Sequence, residues 1–278
     1  MNQSFLFSEC PLGCDRGLEP SNIILPEGAL QRCAHCGQLL SACDAETFGK
    51  RFRPFDEHNP IDRNPSIHLK RLKRIRRFMT LPPSETALLD VGCNVGTFLE
   101  QARTDGFRVT GVEPDASAVR AAASSLDIRC SYLHEAGFSD QSFDVITLFE
   151  VIEHLTAPVA LLAECHRILK TSGFMVITTG NTRSWTAGLL KENWDYFDLA
   201  RGHISFFNPG SIKKLAEESH FRVVKVETKS VSARTISPIC GAERIARKIV
   251  GEALNLPAKI LKQGHDLFVV LRKSAQGD

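Results

Sequence analysis

The sequence predicts an α/β fold in which a mostly parallel sheet carries helices on both faces. An apolar run at Ala87–Val91 enters a glycine loop at Gly92–Gly96, and an amphipathic stretch follows at Thr97–Thr104. A second apolar run, Val109–Val112, ends on the acid Glu113. This order of strand, glycine turn, helix and strand is typical of half of a nucleotide-binding sheet.

The composition of the 278-residue chain is that of a globular protein, with 43% hydrophobic and 24% charged residues. These proportions allow a sizeable core and exclude an intrinsically disordered chain. The formal net charge of +2 gives no overall field that would favour a nucleic-acid partner. No apolar run reaches the length of a membrane span, so no membrane partner is expected.

The cysteines indicate a reducing compartment. The first residues, Met1–Glu9, lack the charged start and long apolar core of a secretory signal, and the chain holds nine cysteines. In a reducing compartment, clustered cysteines bind metal more often than they form disulfides. We therefore expect a cytoplasmic protein with a thiolate-bound metal.

Four cysteines near the N-terminus have the spacing of a zinc ribbon. Cys10 and Cys14 form one close pair, and Cys33 and Cys36 form a second after 18 intervening residues. Each pair can supply two thiolates from one tight turn, and two turns complete a tetrahedral site. Four protein ligands leave no open position, so the expected zinc is structural. Residues 1–45 would then be a metal-folded module; unliganded thiols in a short tail are the alternative.

The glycine loop has a spacing that disfavours nicotinamide dinucleotides. It reads Gly92-x-x-x-Gly96, with Cys93 and Asn94 between the glycines, whereas the dinucleotide fingerprint is G-x-G-x-x-G. Glycine at these positions lets the backbone approach a ligand where a Cβ would clash. Glu113, at the end of the second strand, can accept hydrogen bonds from both hydroxyls of a ribose.

This loop, with further segments in the same order, resembles class I S-adenosylmethionine (SAM)-dependent methyltransferases over about residues 85–230. The resemblance implies a Rossmann-like sheet of seven mostly parallel strands within residues 81–278, with SAM as methyl donor. It implies that the loop holds the methionine end of SAM, Glu113 the ribose, and the segment after the third strand the adenine. The cofactor-binding candidates are Asp90, Gly92, Cys93, Asn94, Gly96, Glu113, Pro114, Glu135, Phe149 and Glu150.

A second informative stretch, residues 149–155, follows the fourth predicted strand, at the edge where open α/β sheets bind ligands. If it is helical, Glu150, Glu153 and His154 share one face and could bind Mg²⁺ or Mn²⁺, with His203 as a fourth ligand. The pattern resembles the Glu-x-x-Glu-His cluster of ubiquinone-pathway O-methyltransferases and small-RNA 2′-O-methyltransferases. We favour a second interpretation, in which Glu150 and His154 line the site and Glu153 caps or pairs. His154 is then the first candidate general base and His203 the second.

Residues 46–80 are expected to form a proline-containing linker followed by a basic helix. Between 67 and 79, Leu69, Leu72, Ile75 and Met79 recur at helical spacing. Six lysine and arginine residues lie between positions 70 and 77 without an acid. They could contact a polyanion such as RNA, or a phosphorylated substrate. We favour a helix that packs before the first strand of the sheet and turns its basic face to water.

The remaining chain alternates between helices and strands, apart from an aromatic segment at 182–207. That segment holds Trp185, Trp194, Tyr196 and Phe197 and is expected to form a substrate lid or pocket wall. A surface helix that packs its aromatic rings is the alternative. Helices are predicted at 115–125, 158–169 (ended by Gly173), 208–219 and 241–263, and strands at 127–133, 145–149, 174–179, 221–228 and 265–273, the last antiparallel.

Together these patterns predict an enzyme that moves the methyl group of SAM to a small molecule. The N-terminal ribbon is similar to an arrangement in bacterial methyltransferases of sugar and secondary-metabolite pathways, which implies a hydroxyl of such a compound as acceptor. One alternative is an RNA 2′-O-methyltransferase with a Glu/Glu/His metal site, favoured by the basic helix. Another is a non-catalytic protein that holds a partner through its ribbon. The sequence leaves the oligomeric state open.

Overall fold

The computed structural model describes residues 6–51, 65–228, 256–258 and 260–274, which form two sheets flanked by helices. The strands are β1 (Leu18–Leu25), β2 (Gly28–Cys33), β3 (Leu39–Leu40), β4 (Ala87–Val91), β5 (Arg108–Val112), β6 (Ile128–Arg129), β7 (Phe143–Phe149), β8 (Leu169–Gly180), β9 (Ser205–Phe206), β10 (Phe221–Thr228) and β11 (Asp266–Lys273). The α-helices are α1 (Ala45–Arg51), α2 (Pro65–Ile75), α3 (Thr97–Thr104), α4 (Ala116–Ala121), α5 (Pro158–Ile168), α6 (Trp185–Leu190) and α7 (Pro209–Glu218).

The larger sheet has seven strands in the order β10-β11-β8-β7-β4-β5-β6. Strands β4 to β8 pair in parallel, and β11 runs antiparallel to both β8 and β10. The strand order reverses between β4 and β7, and open α/β sheets bind their ligands beyond the carboxyl ends of strands at such a point. The predicted fold class, a Rossmann-like and mostly parallel seven-stranded sheet with an antiparallel last strand, is confirmed.

Strand β4 shows how the sequence builds this sheet. Leu88 and Leu89 are both fully buried, but they pack in two different clusters because successive strand residues point to opposite faces. Helices cover both faces, so the strand is a continuous apolar run rather than an alternating one. Helix α3 follows directly and buries Phe98, Leu99 and Ala102 on one face against the sheet.

The smaller sheet joins the N-terminal module to the aromatic segment. Its order is β1-β2-β3-β9, and β9 belongs to the aromatic segment at 182–207. Trp194, Tyr196 and Phe206 pack in one cluster with Leu30 and Leu39 from the N-terminal strands. The rings of the aromatic segment are thus packed against the N-terminal module.

Helix α5 ends earlier than the sequence predicted. It stops at Ile168, and β8 begins at Leu169, so the prediction that Gly173 ends the helix is wrong. A Cβ on Gly173 would lie 2.7 Å from the carbonyl oxygen of Asp144. Glycine is therefore required there by the close approach of two strands.

Helix α2 turns a slightly different face to the core than predicted. Its buried residues are His68, Leu72 and Ile75, at the i, i+4 and i+7 positions, whereas Leu69 is 50% exposed. The helix gives way to a 3₁₀ turn after Ile75, so Met79 lies beyond the helical face and is only partly buried.

The two elements that directly follow β5, α4 and β6, are shorter than predicted. Helix α4 ends before Ala122, which takes an extended conformation with φ −72° and ψ 156°, and β6 has only two residues. Helix α7 begins as predicted, since the side chain of Asn208 accepts hydrogen bonds from the backbone N–H groups of Gly210 and Ser211. Most of the predicted helical region at 241–263 and of the linker lies outside the described residues. No described helix is long and apolar enough to cross a membrane.

Candidate functional site

The loop between β4 and α3 turns through three left-handed residues. Gly92, Asn94 and Gly96 have φ angles of +70°, +51° and +77°. A Cβ on Gly92 would lie 2.8 Å from Cγ2 of Val151, and one on Gly96 would lie 2.5 Å from Cδ1 of Leu126. The glycines are therefore required by the backbone conformation and by the packing around the loop, and not only by the approach of a ligand.

The carboxylate of Glu113 is fixed beyond β5 by two backbone donors. The N–H of Asn94 donates to Oε2 and the N–H of Asp115 donates to Oε1, each at 2.9 Å. A carboxylate offers about four acceptor positions, and these two bonds fix its orientation. Glu113 is partly exposed and Pro114 beside it is exposed. This geometry suits the predicted contact with two ribose hydroxyls.

Cys93 and Asp90 are buried around the base of the loop. Cys93 is 6% exposed, and a Cβ on Gly111 would lie 2.6 Å from its sulfur. Burial raises the pKa of the Cys93 thiol, which is therefore neutral at pH 7. The carboxylate of Asp90 accepts a 2.6 Å hydrogen bond from Oγ1 of Thr147. The side chain of Cys93 belongs to the core, so a contribution to cofactor binding would come from its backbone.

Phe149 ends β7 and Glu135 follows β6, and these two strands end at the same edge of the sheet. The ring of Phe149 packs edge-on against Phe98 at 4.8 Å, and the guanidinium carbon of Arg71 lies 4.1 Å from its centre. Glu135 is exposed, and its carboxylate accepts a 3.3 Å hydrogen bond from the N–H of Tyr132. Glu135 thus stabilises the turn that follows β6, beside the strand that leads to the ribose candidate.

A buried tyrosine joins two carboxyl groups. The hydroxyl of Tyr196 donates to Oε2 of Glu150 at 2.6 Å and also contacts Oε1 of Glu153. Oγ1 of Thr178 donates to Glu150 at 2.7 Å, and Oγ1 of Thr179 donates to Glu153 at 3.1 Å. Each carboxyl group therefore has two hydroxyl partners, and Tyr196 is the partner that they share.

The two carboxyl groups hold a proton with different strengths. Burial and the nearby Glu150 raise the pKa of Glu153 well above its usual range, so Glu153 holds a proton more strongly than Glu150 does. Burial also acts to raise the pKa of Glu150, but hydrogen bonds from Tyr196 and Thr178 and the charge of Arg71 outweigh it and lower that pKa. Since a phenol has one hydrogen, the protonated Glu153 donates to Tyr196, and Tyr196 donates to the Glu150 carboxylate.

His154 and His203 face each other with their ring centres 5.0 Å apart. Nδ1 of His154 lies 3.1 Å from the carbonyl oxygen of Gly202, and Nδ1 of His203 lies 2.7 Å from that of Tyr196. Carbonyl oxygens only accept, so each Nδ1 carries the proton and each Nε2 is left as a base. Burial and the neighbouring His203 lower the pKa of His154 to about 4, and burial lowers the pKa of His203.

The helical face considered for a metal site is not formed. Glu150 has a φ of +58° and only Ile152–His154 form a 3₁₀ turn, so Glu150, Glu153 and His154 do not share a helical face. Ligand atoms of Glu153, His154 and His203 do lie within 4.8 Å of one another. Three of the four residues considered for a metal site are therefore close together. Two imidazoles are softer ligands than the oxygen atoms that Mg²⁺ prefers.

The four N-terminal cysteines converge as predicted. Their ligand atoms lie within 4.8 Å of one another, and the sulfurs of Cys10 and Cys36 are 3.8 Å apart. A tetrahedral site with Zn–S bonds of about 2.3 Å places its sulfurs about 3.8 Å apart. Gly13 and Gly37, with φ angles of +66° and +71°, complete the two turns that present the pairs. The donor set and its spacing fit zinc.

Sequence reasoning missed the central position of Tyr196 and the residues that surround it. Tyr196 was assigned only to the aromatic segment, and no role was given to Thr178 or Thr179. A Cβ on Gly180 would lie 2.6 Å from the Tyr196 ring, so glycine there makes room for the ring. Two threonines and a glycine at the carboxyl end of an apolar strand were the signal that could have located this site.

The sheet order, the glycine loop and the fixed acid beyond β5 define the molecule as a class I methyltransferase. A family model described as "Methyltransferase domain" matches residues 66–226, which is more than half of the chain. The chain belongs to this family of SAM-dependent methyltransferases.

The chain is also similar to curated relatives named "Ubiquinone biosynthesis O-methyltransferase". The relative from Bradyrhizobium sp. is 35% identical over 120 residues, which are 41% of this chain and 43% of the relative. The relative from Thiobacillus denitrificans is 25% identical over 208 residues, which are 70% of this chain and 82% of the relative. The match therefore spans less than half of the length of the first relative.

Solved structures show the same fold. A SAM-dependent methyltransferase from Archaeoglobus fulgidus superimposes with a TM-score of 0.55 at 21% identity, over 74% of this chain and 94% of that one. A SAM-dependent methyltransferase from Mesorhizobium loti gives a TM-score of 0.52 at 18% identity, over 72% of this chain and 96% of that one. At these identities the likeness concerns the fold alone.

Proposed function

We propose that this protein transfers the methyl group of SAM to a hydroxyl of a small-molecule acceptor. The observation that carries the proposal is the Glu113 carboxylate, which Asn94 and Asp115 hold in a fixed orientation beyond β5. A carboxylate so held is suited to a ribose diol. A non-catalytic partner-binding protein would not need this acid next to a left-handed glycine loop, so we place that alternative second.

The protein's main tasks are alignment and exclusion of water. SAM supplies, when bound, a methyl group that is already activated by its sulfonium. Residues 92–96 and Glu113 hold the two ends of the cofactor site, and Phe149 and Glu150 lie at the end of β7 beside them. Alignment of two reacting groups can contribute about 7–11 kcal/mol in ideal cases.

His154 is the proposed general base for the acceptor hydroxyl. Its Nε2 is unprotonated, and the residue is partly exposed, whereas His203 is only 8% exposed. Burial lowers the pKa of His154 to about 4, which keeps the ring in the unprotonated form that a base needs at pH 7, and the charge of Glu150 partly offsets that effect. His203 then orients the neighbouring ring and is the second candidate base.

The relatives support an oxygen acceptor, since those proteins are named as O-methyltransferases of ubiquinone biosynthesis. The N-terminal ribbon supports a sugar or secondary metabolite. Both kinds of molecule present a hydroxyl, and a sugar or secondary-metabolite hydroxyl is the class that we propose. An RNA 2′-hydroxyl is the second candidate, and the basic face of α2 is the observation that favours it.

We further propose that Cys10, Cys14, Cys33 and Cys36 bind a structural zinc ion. The observed 3.8 Å between two of the sulfurs supports this assignment. Such a site requires thiolates, which persist in a reducing compartment, so a cytoplasmic location is part of the proposal. The zinc would have four protein ligands and no reactive position.

The experiment that tests the methyltransferase proposal is a calorimetric titration of SAM into the zinc-loaded protein. Glu113→Ala should abolish measurable binding, whereas Glu100→Ala, an exposed acid on α3, should leave the affinity unchanged. Thermal melts of both variants show whether they fold. Release of S-adenosylhomocysteine with a panel of sugars and phenols then identifies the acceptor. Failure of the wild-type protein to bind SAM would overturn the proposal.

A further inference from the structure

A cavity of about 730 Å³ lies between helix α2 and the strand pair β10 and β11. Glu150 and Thr178, which belong to the carboxyl network around Tyr196, also line it. The cavity therefore connects the acceptor side of the proposed active site with the basic helix. Its cationic lining residues are Lys70, Arg71, Lys73, Arg74, Arg77 and Lys225.

Two of these cations are already paired. Arg74 and Arg77 donate to the carboxylate of Glu227 at 2.7 and 3.1 Å. The guanidinium carbon of Arg74 also lies 4.0 Å from the centre of the Phe268 ring. These contacts hold α2 against β10 and β11, so the two arginines stabilise the walls of the cavity.

Three lysines in the lining have no such partner. Lys70 and Lys73 lie on the same face of α2 as Arg74, and Lys225 faces the cavity from β10. All three are exposed, and none forms an ion pair within the described part of the chain. The lining also holds three acids. Glu227 pairs with the two arginines, and Glu150 accepts from Tyr196 and Thr178. Asp266 lies 3.6 Å from Nε2 of His265.

A merely solvated helix face does not explain this arrangement. On such a face the charges point away from the fold into open water. Here the ammonium groups of one helix and one strand line the same concave surface, where like charges repel unless an anion lies between them. Arg71 stacks on Phe149 at the same cavity, beside the proposed cofactor site.

We propose that this cavity binds a small-molecule acceptor that carries a phosphate group, with Lys70, Lys73 and Lys225 as the phosphate ligands. This inference rests on the proposed methyltransferase function and names the class of its substrate. A dianionic phosphate matches three ammonium groups better than a single carboxylate does. The hydroxyl to be methylated would lie toward Glu150, away from the phosphate.

The test uses phenyl phosphate and inorganic pyrophosphate as calorimetric probes, with benzoate as the monoanionic comparison. Lys70→Gln/Lys73→Gln should weaken binding of both phosphates by roughly tenfold, because two charged contacts are lost. Lys50→Gln/Lys213→Gln, which also removes two exposed lysines, should leave it unchanged. The affinity for SAM should be the same in all three proteins.

Absence of phosphate binding, or an equal loss in the control variant, would overturn the inference. The last experiment measures the binding of a single-stranded 12-nucleotide RNA by fluorescence anisotropy. RNA binding that depends on Lys70 and Lys73, without binding of phenyl phosphate, would contradict a small phosphorylated acceptor and favour RNA. Phosphate binding in a protein that fails to bind SAM would overturn the proposed function while leaving the anion site standing.

Discussion

Gln38 and Ser205 are both fully buried and are joined by a 2.6 Å hydrogen bond from Nε2 to Oγ. Gln38 follows the second cysteine pair, and Ser205 lies in β9, two residues after His203. The residue before Ser205, Ile204, accepts a hydrogen bond from the N–H of Ser41 at 2.8 Å and donates to the carbonyl of Glu153 at 2.9 Å. The cysteine cluster and the carboxyl network are thus linked through one short strand.

We expect loss of zinc to disturb the aromatic segment while leaving the glycine loop intact. In a Trp185→Phe background, Cys33→Ser/Cys36→Ser should shift the emission of Trp194, which is 1% exposed, to longer wavelength and lower the melting temperature. The affinity for SAM should change little, because residues 92–96 lie on the other sheet. The measurements are fluorescence, thermal melts and calorimetry, together with the zinc content.

The matched control for the zinc variant is Cys130→Ser, which removes an exposed cysteine outside the cluster. This variant should retain zinc, emission and melting temperature. Unchanged Trp194 emission in the zinc-free double variant would show that β9 holds its place without the metal.

The different charges of Glu150 and Glu153 predict different responses to the same substitution. Glu153→Gln replaces a neutral carboxyl group by a neutral amide, so the free energy of unfolding at pH 7 should change by less than about 1 kcal/mol. Glu150→Gln removes a carboxylate that accepts from Tyr196 and Thr178, and should cost about 1–3 kcal/mol. Urea unfolding at pH 7 measures both.

Equal losses in the two glutamine variants would contradict this charge assignment. Metal titration of the same proteins distinguishes a metal-free pair of carboxyl groups from a pair that binds one cation. If both acids bound one divalent cation, both substitutions would abolish a stabilisation by Mg²⁺. We expect Mg²⁺ to leave the melting temperature of the wild-type protein unchanged.

Local sequence was enough to predict β4, the glycine loop, α3 and the acid Glu113. An apolar strand, a glycine turn and an amphipathic helix each depend on residues that are close together in sequence. The order of these elements along the chain then predicts the seven-stranded sheet. The four cysteines could be recognised for the same reason, because each close pair is a local turn.

The carboxyl network could not be predicted in this way. Tyr196 lies more than forty residues from Glu150 and Glu153, and no local pattern brings the three together. The left-handed backbone of Glu150 also breaks the helical spacing on which the metal interpretation depended. Likewise, β9 has two residues and exists because a distant strand, β3, pairs with it. Contacts of this kind are decided by the tertiary fold.

Two glycines offer a contrasting pair of alanine substitutions. Gly180→Ala would place a Cβ 2.6 Å from the Tyr196 ring, and we expect a loss of stability of about 1–3 kcal/mol as the ring is displaced. Gly188, in α6, has no atom within 4 Å of an added Cβ, so Gly188→Ala should stabilise the protein by about 0.5–1 kcal/mol. Denaturant unfolding of both variants measures the difference. A neutral Gly180→Ala would mean that the tyrosine ring can shift without cost.

The burial of His154 predicts a dependence of stability on pH. Its pKa is lowered to about 4 in the folded protein, so between that value and the ordinary histidine pKa the unfolded chain binds the proton and the folded chain does not. His154 therefore lowers the free energy of unfolding by about 2 kcal/mol as the pH is lowered from 7 to 5.

Glu153 acts in the opposite direction, because a carboxyl group whose pKa is raised in the folded state gains stability as the pH falls. The contribution of His154 is therefore measured as a difference between proteins. From pH 7 to pH 5, the wild type should lose about 2 kcal/mol more than His154→Gln, which keeps a polar group beside Gly202 but cannot take up a proton. Equal losses in the two proteins would show that the imidazole titrates normally in the folded state, and would remove the basis for treating it as a buried neutral base.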